Sequence, residues 1–131
     1  VVHGSGLDEA AVHGTTEIAE LKEDGTIERS TLTPADLGAK RLYSIEEIKG
    51  GAPADNALIT EAILAGKGTE AQQAFVTANL ALLLKIGGLA KSLPEAVELA
   101  RRTMASGKGL EVLNAHRAYA ASHTASSQKA A

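Results

Sequence analysis

The chain has 131 residues, a net charge of −3, 44% hydrophobic and 22% charged residues, the composition of one globular domain or a part of one. Its negative balance removes the electrostatic footprint expected of a nucleic-acid binder or of a protein drawn to an anionic membrane surface. The lack of cysteine removes disulfides and thiolate metal sites, which fits a reducing cytoplasm. Phe75, Tyr43 and Tyr119 are the whole aromatic supply, so the core is expected to be Leu, Ile, Val and Ala carried on helices.

The chain opens on "VVHGSGLDEA". Val1 to His3 read as the end of an inner strand, because Val-Val favours extended backbone and Gly4-Ser5-Gly6 breaks it. A start at Val rather than Met is expected of a part of a longer protein. Residues 17–33, "EIAELKEDGTIERSTLT", predict a hairpin turning at Asp24-Gly25, with Glu20 opposite Arg29. Neither face of the hairpin is cleanly apolar, which places it at a sheet edge, and the opening strand has no visible ladder partner within the chain.

From residue 44 the pattern is helical. Ser44 and Glu47 make a capping box for a short helix stopped by Gly50-Gly51. "PADNALITEAILAG" follows with Leu58, Ile59, Ala62 and Ile63 at helical spacing and Gly66 as the stop. Thr69 and Gln72 cap a third helix to Ile86, closed by Gly87-Gly88. Ser92, Pro94 and Glu95 open a fourth to Ser106, closed by Gly107. A fifth runs from Lys108 to about Ala120, and 121–131, small and polar, reads as a flexible tail.

The third helix is apolar almost all round (Phe75, Val76, Leu80, Leu82, Leu83, Leu84, Ile86), so it must be surrounded, and an exposed apolar patch is expected if too few elements cover it. It is shorter than a membrane span, and Lys85 alone costs about 2.5–3.5 kcal/mol in a bilayer. The first residues also lack the basic and apolar regions of a signal peptide.

Asp8 and Glu9 are the chemically suggestive pair. Two carboxylates about 4 Å apart repel by roughly 4 kcal/mol at an effective dielectric of 20, a penalty a divalent cation removes. Mg²⁺ commonly takes one or two carboxylates and leaves its other positions to water and phosphate oxygens. On these residues alone the commoner explanation is a solvated pair capping a helix-like "DEAAV". His3 and His13, ten residues apart with no third ligand, read as structural or incidental, and His116 and His123 as surface residues. Gly50-Gly51 lacks the Lys-Ser/Thr of a phosphate loop, and "HGSGLDE" lacks the nucleophile elbow of a hydrolase.

Taken in order, "VVHGSGLDE", "TEIAELKEDGTI", "LTPADLG", "IKGGAPADNA", "GKGTEAQQAFVTANLALLL" and "SLPEAVELARRTMASGKGLEVL" resemble the C-terminal part of anthranilate phosphoribosyltransferase over about residues 1–117. The resemblance implies a glycosyltransferase of tryptophan biosynthesis that moves phosphoribose from phosphoribosyl pyrophosphate to anthranilate with Mg²⁺. It implies an α/β fold in which 1–120 is the C-terminal portion of a larger α/β domain: one inner strand end, an edge hairpin, then about five helices.

It assigns Asp8 and Glu9 to Mg²⁺ and His3 and Gly4 to the substrate site, and carries over no catalytic residue. The family's Gly-Thr-Gly-Gly-Asp loop and Lys-His-Gly-Asn segment lie upstream and are absent here. The chain is therefore expected to need an upstream N-terminal part, to form a homodimer when intact, and to be inactive alone. Alternatives are a non-catalytic, nucleic-acid-binding relative, a nucleoside phosphorylase of related architecture, and a structural helical fragment.

Overall fold

The computed structural model describes residues 1–128, with side chains through His123. It is an α/β arrangement in which a three-stranded antiparallel sheet is followed by five helices. The strands are β1 (Val2–His3), β2 (Thr16–Leu21) and β3 (Ile27–Leu32), in the order β1-β2-β3. The expectation that the opening strand lacks a partner is overturned: β1 pairs with β2, Val2 opposite Ile18 and His3 opposite Glu17.

The hairpin forms with a different register. Lys22 N–H donates to Thr26 O (2.9 Å) and Gly25 N–H to Lys22 O (3.0 Å), which makes the loop Glu23-Asp24-Gly25, three residues rather than two. Gly25 occupies the left-handed region at φ 83°, the usual end of a three-residue hairpin loop. Counting from that loop puts Arg29 opposite Ala19 and Glu20 opposite Glu28, not Glu20 opposite Arg29. Lys22 answers the like-charge pair, with Nζ 2.9 Å from Glu20 and 2.8 Å from Glu28. Glu20 also reaches Lys85 at 3.3 Å, which ties the sheet to the helical layer.

The helices are α1 (Ile45–Ile48), α2 (Pro53–Leu64), α3 (Glu70–Ile86), α4 (Leu93–Ala105) and α5 (Lys108–Gln128). Their punctuation follows the caps read above. Thr69 Oγ1 accepts from Gln72 N–H at 3.2 Å while Gln72 Oε1 accepts from Thr69 N–H at 3.0 Å. α2 and α3 close with paired bonds of the Schellman type, Lys67 N–H to Ala62 O with Gly66 N–H to Ile63 O, and Leu89 N–H to Leu84 O with Gly88 N–H to Lys85 O. α5 extends beyond the Ala120 boundary expected for it: Ser122 and His123 are helical and the His123 ring stacks on Tyr119. Of the tail expected to be flexible, 129–131 lies outside the described residues.

The core divides into two clusters, both of which include residues of α3. One gathers Ala10, Val12, Leu37, Tyr43, Ala71 and Ala78, and the other Ala81, Ala90, Ala96, Val97 and Ala100, with Leu93 packed against both. The buried face of α3 is thus its small residues. Leu83 and Ile86 stay 67% and 76% exposed, so the helix expected to be surrounded is covered on one side only, and the expected apolar patch is present.

Arg41 braces the start of α1. Its guanidinium lies 4.1 Å from the Tyr43 ring centre and 2.6 Å from Glu47 Oε1, while Glu47 Oε2 accepts the Ser44 N–H at 2.8 Å. Arg41 first, then the Ser44 N–H, holds the Glu47 carboxyl down to about 2. A carboxyl depressed on folding contributes stability that is complete above its ordinary value of 4.5 and is lost as pH falls toward 2. Glu47→Gln should flatten the fall of Tm across that acid window relative to the parent protein. Thermal melts of the two proteins at stepped pH test it, and parallel curves would refute it.

Candidate functional site

The carboxylate pair stands on the connection between β1 and β2. His3 is exposed at the end of β1, and Gly4 is buried. Gly4 and Leu7 exchange backbone hydrogen bonds of 3.1 Å across Ser5 and Gly6, both at positive φ (49° and 98°), so the chain reverses tightly after the strand. Ser5 Oγ donates to Thr15 O at 2.9 Å, and His13 Nε2 lies 3.2 Å from Ser5 O. His13 thus braces this turn from one side.

Asp8 and Glu9 follow, both exposed, and their carboxyl groups lie side by side. The hydrogen bond to Asp8, then partial loss of solvent, then the Asp8 charge hold the Glu9 carboxyl above its ordinary 4.5. Two neighbouring carboxyl groups offer only oxygen ligands, a hard donor set that suits a cation such as Mg²⁺ that takes its remaining ligands from water or phosphate. Among the described residues no group of three or more His, Asp or Glu side chains converges, so a closed all-protein metal cage is not formed here.

The helix-like reading of "DEAAV" does not hold. Residues 8–12 are irregular, and Ala10, Ala11 and Val12 are completely buried. Their peptide groups are answered from elsewhere in the fold. Asn79 Oδ1 accepts the Ala10 N–H at 2.8 Å and Asn79 Nδ2 donates to Ala10 O at 3.2 Å. Thr16 Oγ1 accepts the Ala11 N–H at 2.9 Å, and Tyr43 N–H donates to Val12 O at 3.0 Å.

Gly4 makes this packing possible. A Cβ there would fall on Glu9 O and lie 2.9 Å from Ala11 Cβ, so the segment bearing the carboxylates closes directly over the strand end. The sequence reading missed Asn79 and Thr16 as parts of the site. An amide in the middle of a Leu-rich helix was the signal available for Asn79.

Beside Glu9 an apolar groove of about 450 Å³ runs between α3 and the α4–α5 corner, lined by Leu64, Phe75, Val76, Leu83 and Met104 with Asn79 at its rim. No helix of the described residues is long and apolar enough to cross a membrane.

Residues 1–110 match the family model described as "Glycosyl transferase family, a/b domain", and the chain belongs to that family. It is 54% identical over 111 residues to an anthranilate phosphoribosyltransferase of Tolumonas auensis, covering 85% of this chain and 32% of the relative. It is 54% identical over 114 residues to the protein of the same name from Shewanella putrefaciens, covering 87% and 32%.

A crystal structure of anthranilate phosphoribosyltransferase from Thermus thermophilus superimposes with a TM-score of 0.80 at 31% identity, covering 90% of this chain and 34% of that one. The chain therefore spans about a third of the length of the curated relatives it matches.

Two measurements test the site as described. Gly4→Ala should cost about 1–3 kcal/mol by denaturant unfolding, because the added methyl has no space until residues 9–11 shift; a loss within experimental error would mean the segment yields freely. Asp8→Asn should lower the Glu9 titration midpoint toward 4.5 in a carboxyl carbon-13 NMR titration, since it removes the neighbouring carboxyl group and its charge. An unchanged midpoint would separate the two groups.

Proposed function

We propose that the protein works in phosphoribosyl transfer from phosphoribosyl pyrophosphate to the amine of anthranilate, a step of tryptophan biosynthesis, and that Asp8 and Glu9 are its contribution to a Mg²⁺ site. The observation that carries this is the side-by-side carboxylate pair held at a strand end in a chain 54% identical to proteins named for that reaction. Because the chain spans about a third of those relatives, the reading assigns it part of a site whose phosphate-binding and anthranilate-binding residues lie in the remaining length. A cytoplasmic homodimer is the setting proposed with it.

In this reading the pair binds the cation through carboxylate oxygens and works as neither acid nor base. When bound, Mg²⁺ offsets the negative charge that gathers on departing pyrophosphate. Gly4 lets the carboxylate segment lie against the end of β1, and His3, exposed beside it, lines the approach for substrate. The anthranilate amine is already nucleophilic, so orientation of the two substrates supplies much of the remaining rate.

The test is the double variant Asp8→Asn with Glu9→Gln in the complete enzyme, which keeps shape and hydrogen-bonding capacity while removing both charges. Turnover should fall by orders of magnitude and the Mg²⁺ concentration needed for half-maximal rate should rise, while the metal-free Tm holds or increases as the repulsion disappears. Near-parent turnover with an unchanged Mg²⁺ dependence, accompanied by at most about 1 kcal/mol of lost stability, would return the pair to a solvated surface role.

A further inference from the structure

We infer that Asn79 is a positioning residue for the carboxylate pair: by gripping both polar groups of the Ala10 residue, it sets where Asp8 and Glu9 stand and thereby the affinity of the pair for a divalent cation. The inference rests on the reading of Asp8 and Glu9 as cation ligands.

The geometry asks for an amide at this position. One acceptor must meet the Ala10 N–H at 2.8 Å, and two donors must meet Ala10 O at 3.2 Å and Phe75 O at 3.0 Å. Asparagine has this set on a short side chain. Aspartate has no N–H to give, leucine has neither function, and glutamine is a methylene too long for the same reach. The bond to Phe75 O, one turn back on α3, fixes the amide against its own helix, so the grip on Ala10 is preset before the segment arrives.

Placement makes the grip matter to the carboxylates. The segment between β1 and β2 carries no ladder beyond the Gly4–Leu7 bridge, so Asp8 and Glu9 are located by whatever holds their flanks. On one flank is the Gly4 turn. On the other the first anchor is Asn79 at Ala10, adjacent to Glu9, while the Thr16 and Tyr43 bonds fall on Ala11 and Val12, further from the acids. Asn79 and Glu9 also line the same groove. Loss of the amide would leave the Ala10 peptide unanswered and free the end of the segment that bears Glu9. Groups that orient metal ligands without touching the ion commonly change affinity by about 10–100-fold.

The test uses the complete protein and Mn²⁺, whose free form is read directly by electron paramagnetic resonance, at a temperature below every variant's melt. Four proteins are compared: the parent, Asn79→Ala, the Asp8→Asn and Glu9→Gln double variant, and Leu82→Ala, which weakens packing of the same helix against the same core while keeping the Asn79 amide and its bonds to Ala10. Asn79→Ala should bind Mn²⁺ about tenfold or more weakly, the double variant should lose the site, and Leu82→Ala should bind as the parent does despite a lower Tm. Faster hydrogen exchange at the Ala10 amide should accompany the Asn79→Ala loss.

Parent-like Mn²⁺ affinity in Asn79→Ala, with the double variant empty, overturns the role of Asn79 alone. Equal losses in Asn79→Ala and Leu82→Ala also overturn it, because they make the effect one of general stability. A parent that binds no Mn²⁺, or a double variant that binds it undiminished, overturns the cation-ligand reading itself. If Asn79→Ala does not fold, Asn79→Ser takes its place, and failure of both to fold makes the residue structural and ends the assignment.

Discussion

Three buried peptide groups without secondary structure of their own are the constraint on which the rest of this molecule turns. Ala10, Ala11 and Val12 are completely enclosed, and a buried N–H or C=O left without a partner costs about 1–3 kcal/mol. The partners come from three places: the Asn79 amide on α3, the Thr16 hydroxyl at the start of β2, and the Tyr43 N–H just before α1. Sheet, helical layer and the link to the first helix therefore meet on three residues. Ala10, Val12 and Tyr43 also belong to one of the two cores, so polar satisfaction and apolar packing coincide there.

The ion pairs serve a different purpose. Glu20, Lys22, Glu28 and Lys85 form a chain from the hairpin to the end of α3, but their side chains are 34% to 62% exposed, and pairs so well solvated contribute little each. Their value is directional. Lys22 neutralises two glutamates that the register places face to face, and Lys85 draws Glu20 toward the helical layer. The sheet is thereby oriented on α3 at one end by charge and near the carboxylate segment by the Asn79 amide.

The helices were legible from residue types because their signals are local. Ser44, Thr69 and Ser92 sit at the starts they advertise, and the glycines at 66, 88 and 107 sit at the ends. The hairpin was legible as a hairpin but not in register, since Asp24-Gly25 reads equally as a two-residue turn or as the end of a three-residue loop, and one residue of difference moves every pair. The carboxylate segment reads as helix-like because two of the three groups that hold it lie far away along the chain, Asn79 being 69 residues from Ala10 and the other being the Tyr43 N–H. Of the three, only Thr16 is close in sequence, five residues from Ala11. The exposure of Leu83 and Ile86 was equally out of reach of periodicity, which counts apolar residues but not the surfaces available to cover them.

The contact between α3 and α4 is made largely of alanine: Ala81 on one side, Ala96 and Ala100 on the other, with Ala90 completing the cluster. Alanine has no side-chain rotamers to lose, so these positions cost little conformational entropy on burial, while Val97, Leu80, Leu84 and Leu93 fill in around them. Small residues at the centre of the contact let the two helices approach closely. A centre of small residues has few ways to rearrange, and Asn79 is carried on α3. The mounting also leaves little room for sequence drift, since a single added methylene at Ala81, Ala96 or Ala100 would be passed on as a rigid shift of the helix and of everything it carries.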